Sequence, residues 1–249
     1  MSDVTVQATT PWAHITLDQW SDAPDGAPSA GRQNEHEDPS CELAVLSVNG
    51  PDCVGFVAGI SNWLDQHDIG IKSGHAGLLS SACDTSRAAY GAQYMLSAEP
   101  AGMERLRQTL RSDNLPVPEE PGIPEDENDT RPPLHYHLTV VASDNNGVHS
   151  RVSRLLATNR VSITAELLQT IPGFGAGPTA RRKARPSPGL FRLHMDVAVP
   201  QANAREIVKQ VRNGLNFFGS EFGWGVKFDE SLTTARLMRA ACGFAGCDF

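Results

Sequence analysis

No run of apolar residues in the chain approaches the roughly 18 that a membrane-spanning helix requires. The first residues also lack the basic flank and apolar core of a secretory signal. A soluble, cytoplasmic protein without a membrane partner is therefore expected. Basic side chains are scarce: 21 Lys and Arg face 29 Asp and Glu, a formal charge of −8. That balance repels phosphate backbones, so direct nucleic-acid binding is not expected. Five cysteines at unrelated spacings are too few and too irregular for a disulfide framework. Cys242 and Cys247 have no second Cys pair or nearby His pair to complete a zinc set. His135 and His137 share one face of a strand, without a third ligand. GxGxxG and a glycine-rich loop ending in Lys-Ser or Lys-Thr are both missing, which excludes the common dinucleotide and phosphate loops. No cofactor and no metal are expected.

What is present divides by composition. Residues 1–40 are rich in Ser, Asp, Pro, Gly and Gln and show no sustained apolar period, so they read as a disordered tail. Residues 119–133 form an acidic, proline-rich linker that can hold neither a helix nor a central strand for long. Residues 231–249 read as a fraying C-terminal tail. Two candidate domains remain, 41–118 and 134–230.

These two repeat one another. LSVNGPDCVGFVAGISNWLDQHDIGI aligns without a gap on LTVVASDNNGVHSRVSRLLATNRVSI at an offset of 92 residues. Leu46 meets Leu138, Asp52 meets Asp144, Gly55 meets Gly147, Leu64 meets Leu156 and Ile71 meets Ile163. Farther on the offset read from sequence is 100, which pairs Met95 with Met195 and Pro100 with Pro200 and implies eight extra residues in the second copy. Each copy opens with a β-prone run, then a polar turn, then apolar residues at helical spacing. Asp52 and Asp144 stand where they can cap a helix start, and Cys53 falls at a position that suits a small buried residue. Two further strands, a second helix and a closing strand complete the order βαββαβ, an α+β ferredoxin-like unit with an antiparallel sheet and helices on one face. In the first copy the closing strand can come only from Leu115 to Val117, where Pro116 interrupts it.

The strand, Gly-Pro-Asp-x-x-Gly turn, helix and following IGI or VSI strand resemble ACT domains, small regulatory modules that bind amino acids. A tandem pair with ITAELLQT, a long loop and LFRLHMDVAVP is most similar to the glycine cleavage system transcriptional repressor group. The second copy departs from the motif, with Ala142-Ser143-Asp144-Asn145 in place of Gly-Pro-Asp-Cys. The resemblance implies a non-enzymatic regulator that binds a small amino acid such as glycine or serine near the turn, where two units meet. It also implies a protein partner of the transcription-activator type, while the exposed sheet edges of such units favour side-by-side association, within the chain or in a homodimer. Carried onto this chain, it nominates Asn49, Gly50, Pro51, Asp52, Val54 and Gly55, with Ile71 and Lys72 across from them. In the second copy it nominates Ser143, Asp144, Asn145, Asn146, Gly147 and Val148, with Ile163.

Physically, a helix start exposes unpaired amides that suit a carboxylate, and an adjacent Asp suits an ammonium group. The same turns also serve as structure alone. Two other readings stand beside this one. A unit of similar type precedes the catalytic domain of formyltetrahydrofolate deformylase, but the second repeat stands here where that domain would be. A pairing module without ligand is the other. The loop IPGFGAGPTARRKARPSPG projects Arg181, Arg182, Lys183 and Arg185 as a positive tip, suited to an acidic protein face or to the chain's own linker.

Overall fold

The computed structural model of the chain describes residues 5–9, 13–20, 41–79, 89–112, 132–143, 147–171 and 189–230. Among the described residues, nine strands form one sheet. A short hairpin comes first, β1 (Thr5–Thr9) and β2 (His14–Gln19). Then come β3 (Glu42–Pro51), α1 (Phe56–Gln66), β4 (Gly70–Leu79), β5 (Ala89–Ala98) and α2 (Pro100–Arg111). The second copy runs β6 (Leu134–Ser143), α3 (Val148–Thr158), β7 (Ser162–Ile171), β8 (Leu190–Val199), α4 (Ala204–Phe222) and β9 (Gly225–Glu230). The strand order is β1-β2-β3-β5-β4-β7-β8-β6-β9, antiparallel throughout. The fold is α+β, with two tandem ferredoxin-like units fused along one sheet.

Three sequence expectations change. Residues 1–40 are not a uniform disordered tail: β2 pairs with β3 from His14↔Asn49 to Gln19↔Ala44. It takes the edge place that β9 takes beside β6 in the second unit. Ile15 and Leu17 are 1% exposed, so this hairpin adds to the core; alternation over so short a span gave too little signal to see it. Leu115 to Val117 lie outside the described residues. The later offset is 101 rather than 100, so the insertion is nine residues: Leu46 pairs with Tyr94, and its repeat mate Leu138 pairs with Met195. Period two decides this, because a one-residue slip would put the half-exposed Met95 in the place of the buried Met195. Thirdly, Asp52 does not cap α1. The N-caps are Gly55 (φ 91°) and Gly147 (φ 90°), with no side-chain cap. Only glycine adopts that left-handed backbone readily, which gives both residues a conformational reason to be present.

One apolar core runs through both units. Leu46, Val48, Leu96, Leu106 and Leu110 fill the first half, and Leu138, Val140, Leu193, Met195 and Val211 the second. Burial of each such side chain contributes about 1.5–3 kcal/mol. Among the described residues, one strand pair and one helix pair join the units. β4 pairs with β7 from Ser73↔Gln169 to Gly77↔Ala165, and α1 packs on α3.

Candidate functional site

His75 pairs with Leu167, and these two stand 92 positions apart, as repeat mates do. Ser61 and Ser153 are also mates and meet in the helix layer. A local two-fold axis therefore passes through the junction, and each helix start is brought against the opposite unit. Two crevices result. In the first, Asp52, Gly55 and Phe56 of the first unit, with Tyr90, face Ala157, Val161 and Ile163 of the second, around a cavity of about 10 Å³. In the second, Gly147, Val148 and His149, with Phe191, face Asp65, Ile69 and Ile71, around about 30 Å³. The linings correspond residue by residue: Gly55 with Gly147, Phe56 with Val148, Val57 with His149, Tyr90 with Phe191, Ala157 with Asp65, Ile163 with Ile71. Cavities this small hold about one or two waters, so an amino acid requires the helices to part.

Each crevice carries a buried polar atom without a protein partner: Tyr90 Oη in the first and His149 Nδ1 in the second. Burial raises the Asp52 carboxyl above its ordinary value. Tyr90 is pushed well above the usual phenol value by burial, then by the charges of Glu166 and Asp52. Between the crevices lies a buried chain that crosses from unit to unit. The Tyr94 hydroxyl of β5 donates to Glu166 Oε1 of β7. His149 Nε2 lies 2.9 Å from Glu166 Oε2. The Glu166 side chain is wholly buried. Tyr94 is held well above the usual phenol value, by burial first and then by Glu166. With the carboxylate accepting on both oxygens, His149 donates to it from Nε2. Glu166 has Gly74 as its repeat mate, and a Cβ there would come within 2.5 Å of Tyr94 Cδ1. The first copy therefore gives up a side chain where Tyr94 passes.

Of the nominated residues, Asp52 and Gly55 come together with Ile163, and Gly147 and Val148 with Ile71. The two isoleucines thus serve the opposite copy's turn from the one expected, because the sheet joins the units edge to edge. Asn49, Gly50 and Pro51 still belong to β3, paired with Gly91, Tyr90 and Ala89. Asn49 points to the sheet face away from the helices, with Oδ1 near Gly91. Val54 does not line the first crevice, and Ser143 ends β6 exposed. Asp144, Asn145 and Asn146 lie outside the described residues, as do Arg181, Arg182, Lys183 and Arg185. Lys72 lines a separate cleft of about 420 Å³ with Arg105 and Glu99. Cys53, expected to be buried, is exposed.

Sequence reading missed Tyr90, Tyr94, His149, Glu166 and Asp65. The available signal was polar residues inside helical apolar stripes, Ser61 and Ser153 above all. On the opposite sheet face, His137 Nδ1 lies 2.9 Å from Asp196 Oδ1, and Thr139 Oγ1 bridges His137 and His194 at 3.2 Å each. Burial, followed by His137 and Arg192, lowers the His194 value. Among the described residues, no group of three His, Cys, Asp or Glu is arranged to hold a metal ion, and no helix is long and apolar enough to cross a membrane.

No family profile matches the chain, and no curated protein matches it. Among solved structures, the chain is similar to an unknown protein from Galdieria sulphuraria at 21% identity, over 77% of this chain and 99% of that one, with a TM-score of 0.33. It is similar to aspartate kinase from Synechocystis at 12% identity, over 75% of this chain and 28% of the kinase, with a TM-score of 0.43. It is also similar to a candidate glycine cleavage system transcriptional repressor at 12% identity, over 77% of this chain and 99% of that one, with a TM-score of 0.30. Likeness at this level says nothing of what this chain binds.

Proposed function

We propose that this chain is a non-enzymatic regulator of tandem ACT type, which binds a small amino acid such as glycine or serine between its two units and thereby modulates a protein partner. The observation that carries the reading is the pair of matched crevices, each built from one unit's glycine-led helix start and the other unit's helix end and strand start. A ligand in such a place touches both units, so its binding energy is coupled to how they sit together. The coupling cannot exceed the ligand's differential affinity for the two arrangements. The orphaned Tyr90 Oη supports a polar occupant, since buried polar atoms are ordinarily satisfied. The partner is a protein, with transcriptional control of glycine cleavage as the setting and a homodimer as the working form.

A thermal-shift screen with the free amino acids tests this. Glycine or L-serine raises the melting temperature by the binding term, which grows with ligand concentration. No shift with any amino acid at millimolar concentration leaves the ligand-free pairing module as the better reading. Formyltetrahydrofolate turnover by the purified chain would instead establish an enzyme.

A further inference from the structure

Among the described lining residues that match, one pair differs in having a carboxylate. Ala157 faces the start of α1, whereas Asp65 faces the start of α3. Asp65 Oδ1 lies 3.3 Å from where a Cβ on Gly147 would stand, Oδ2 lies 3.6 Å from it, and Arg151 Nε of α3 lies 3.7 Å from the same point. A helix start presents amide hydrogens without intrahelical partners and the positive end of the dipole. At α3 the opposite unit already supplies a carboxylate to that end. At α1 the opposite unit supplies a methyl group, and the acid of that crevice, Asp52, belongs to the turn itself.

The position of Asp65 in its own helix points the same way. It lies in the last turn of α1, which ends at Gln66. A negative charge there faces the negative end of its own dipole, which is locally unfavourable. The neighbouring start of α3, with Arg151 in its first turn, offsets that cost, so the residue faces the positive end of the opposite unit's helix.

We propose that Asp65 does permanently at the second helix start what the carboxylate of a bound amino acid does at the first, so that the chain carries one amino-acid site, the Asp52 crevice, and one self-filled crevice. This rests on the amino-acid reading above and adds stoichiometry and ligand class to it. The occupant of the first crevice is a small zwitterion: its carboxylate meets the Val57 and Ala58 amides at the start of α1, where no described lining residue of the opposite unit carries a carboxylate, and its ammonium group meets Asp52. The orphaned Tyr90 Oη, on a residue 2% exposed, adds a hydrogen bond from the crevice wall. Binding there, once the helices have parted to admit the ligand, makes the junction electrostatically symmetric, with a carboxylate at each helix start, and the ligand then bridges the two units.

Calorimetric titration of the full chain with glycine and with L-serine tests the inference. The wild-type chain takes up one ligand. Asp65→Ala takes up two, the second site gaining roughly ten-fold or more in affinity once the competing charge is gone. Asp65→Asn, which keeps the shape and removes the charge, does the same, and the exposure of Asp65 makes both substitutions compatible with folding. Two equal sites in the wild type, or an Asp65→Ala chain that still takes up one, overturns this inference and leaves the amino-acid reading in place. No uptake by either chain overturns both.

Discussion

Ser61 Oγ and Ser153 Oγ meet at 2.7 Å in the buried layer between α1 and α3, and 92 residues separate them in sequence, the same interval that relates the two copies. The two hydroxyls therefore mark the local two-fold axis. Each also has a backbone acceptor in reach, Ala58 O for Ser61 and His149 O for Ser153, and the hydroxyl that accepts across the axis is the one that donates to its own carbonyl.

Because each hydroxyl keeps a backbone partner when the other is lost, Ser61→Ala and Ser153→Ala are each mild. Their coupling in a double-mutant cycle is about 0.5–1.5 kcal/mol, measured by urea unfolding. Ser61→Leu forces a branched side chain onto the axis and costs about 1–3 kcal/mol through overpacking. A coupling of zero would mean that the helices are held by apolar contact alone.

Gly74 offers a contrast between two glycines of one strand. A Cβ at Gly74 would stand 2.5 Å from Tyr94 Cδ1 and 2.8 Å from Gln93 O, whereas one at Gly77 meets nothing closer than 3.6 Å. Gly74→Ala therefore destabilises by about 1–3 kcal/mol and displaces Tyr94 from Glu166. Gly77→Ala is neutral within about 0.5 kcal/mol. Equal melting temperatures for the two variants would remove the explanation given for glycine at position 74.

How much of this was legible in the sequence follows from which signals are local. The 92-residue repeat is a local match of strand, turn and helix, and it placed β3, α1, β4 and their mates. Asp52, Gly55, Gly147, Val148, Ile71 and Ile163 are nominated by the ACT resemblance of those same turns and strands, and all six line the two crevices. Their grouping was not legible, because edge pairing of β4 with β7 is a contact between distant segments that no periodicity encodes. Tyr94, Glu166 and His149 come from three elements of two units, so each looks ordinary on its own element. The offset of 101 escaped because Met95 and Met195 coincide by identity, while the pleat sets register.

Asp52 yields a pH dependence with a definite sign. Burial raises its folded-state value above the ordinary 3.8. The folded chain thus holds this proton longer than the unfolded chain, and above that range the ionised carboxylate weakens the fold. The penalty is fully present at neutral pH and vanishes as pH falls below the ordinary carboxylate value. Asp52→Asn accordingly raises the melting temperature of the ligand-free protein at pH 7 and leaves it unchanged near pH 3. A decrease at pH 7 would mean that the carboxylate is stabilised in the folded chain.

Tyr94 governs the alkaline side. Burial and the Glu166 carboxylate hold its hydroxyl well above the ordinary value of 10.0. The unfolded chain releases this proton first, so the stability tied to the protonated phenol is complete below pH 10 and is lost progressively above it. Tyr94→Phe removes that dependence, and it also leaves Glu166 with His149 as its remaining side-chain partner. The expected result is a chain about 1–3 kcal/mol less stable at pH 7, with a shallower fall in stability above pH 10 than the wild type, read by urea unfolding across pH. Parallel stability curves for the two chains above pH 10 would place the phenol outside the folding equilibrium. A curve for Tyr94→Phe that meets the wild type as pH rises fixes the Tyr94–Glu166 hydrogen bond as a contact that the two units make only while the phenol keeps its proton.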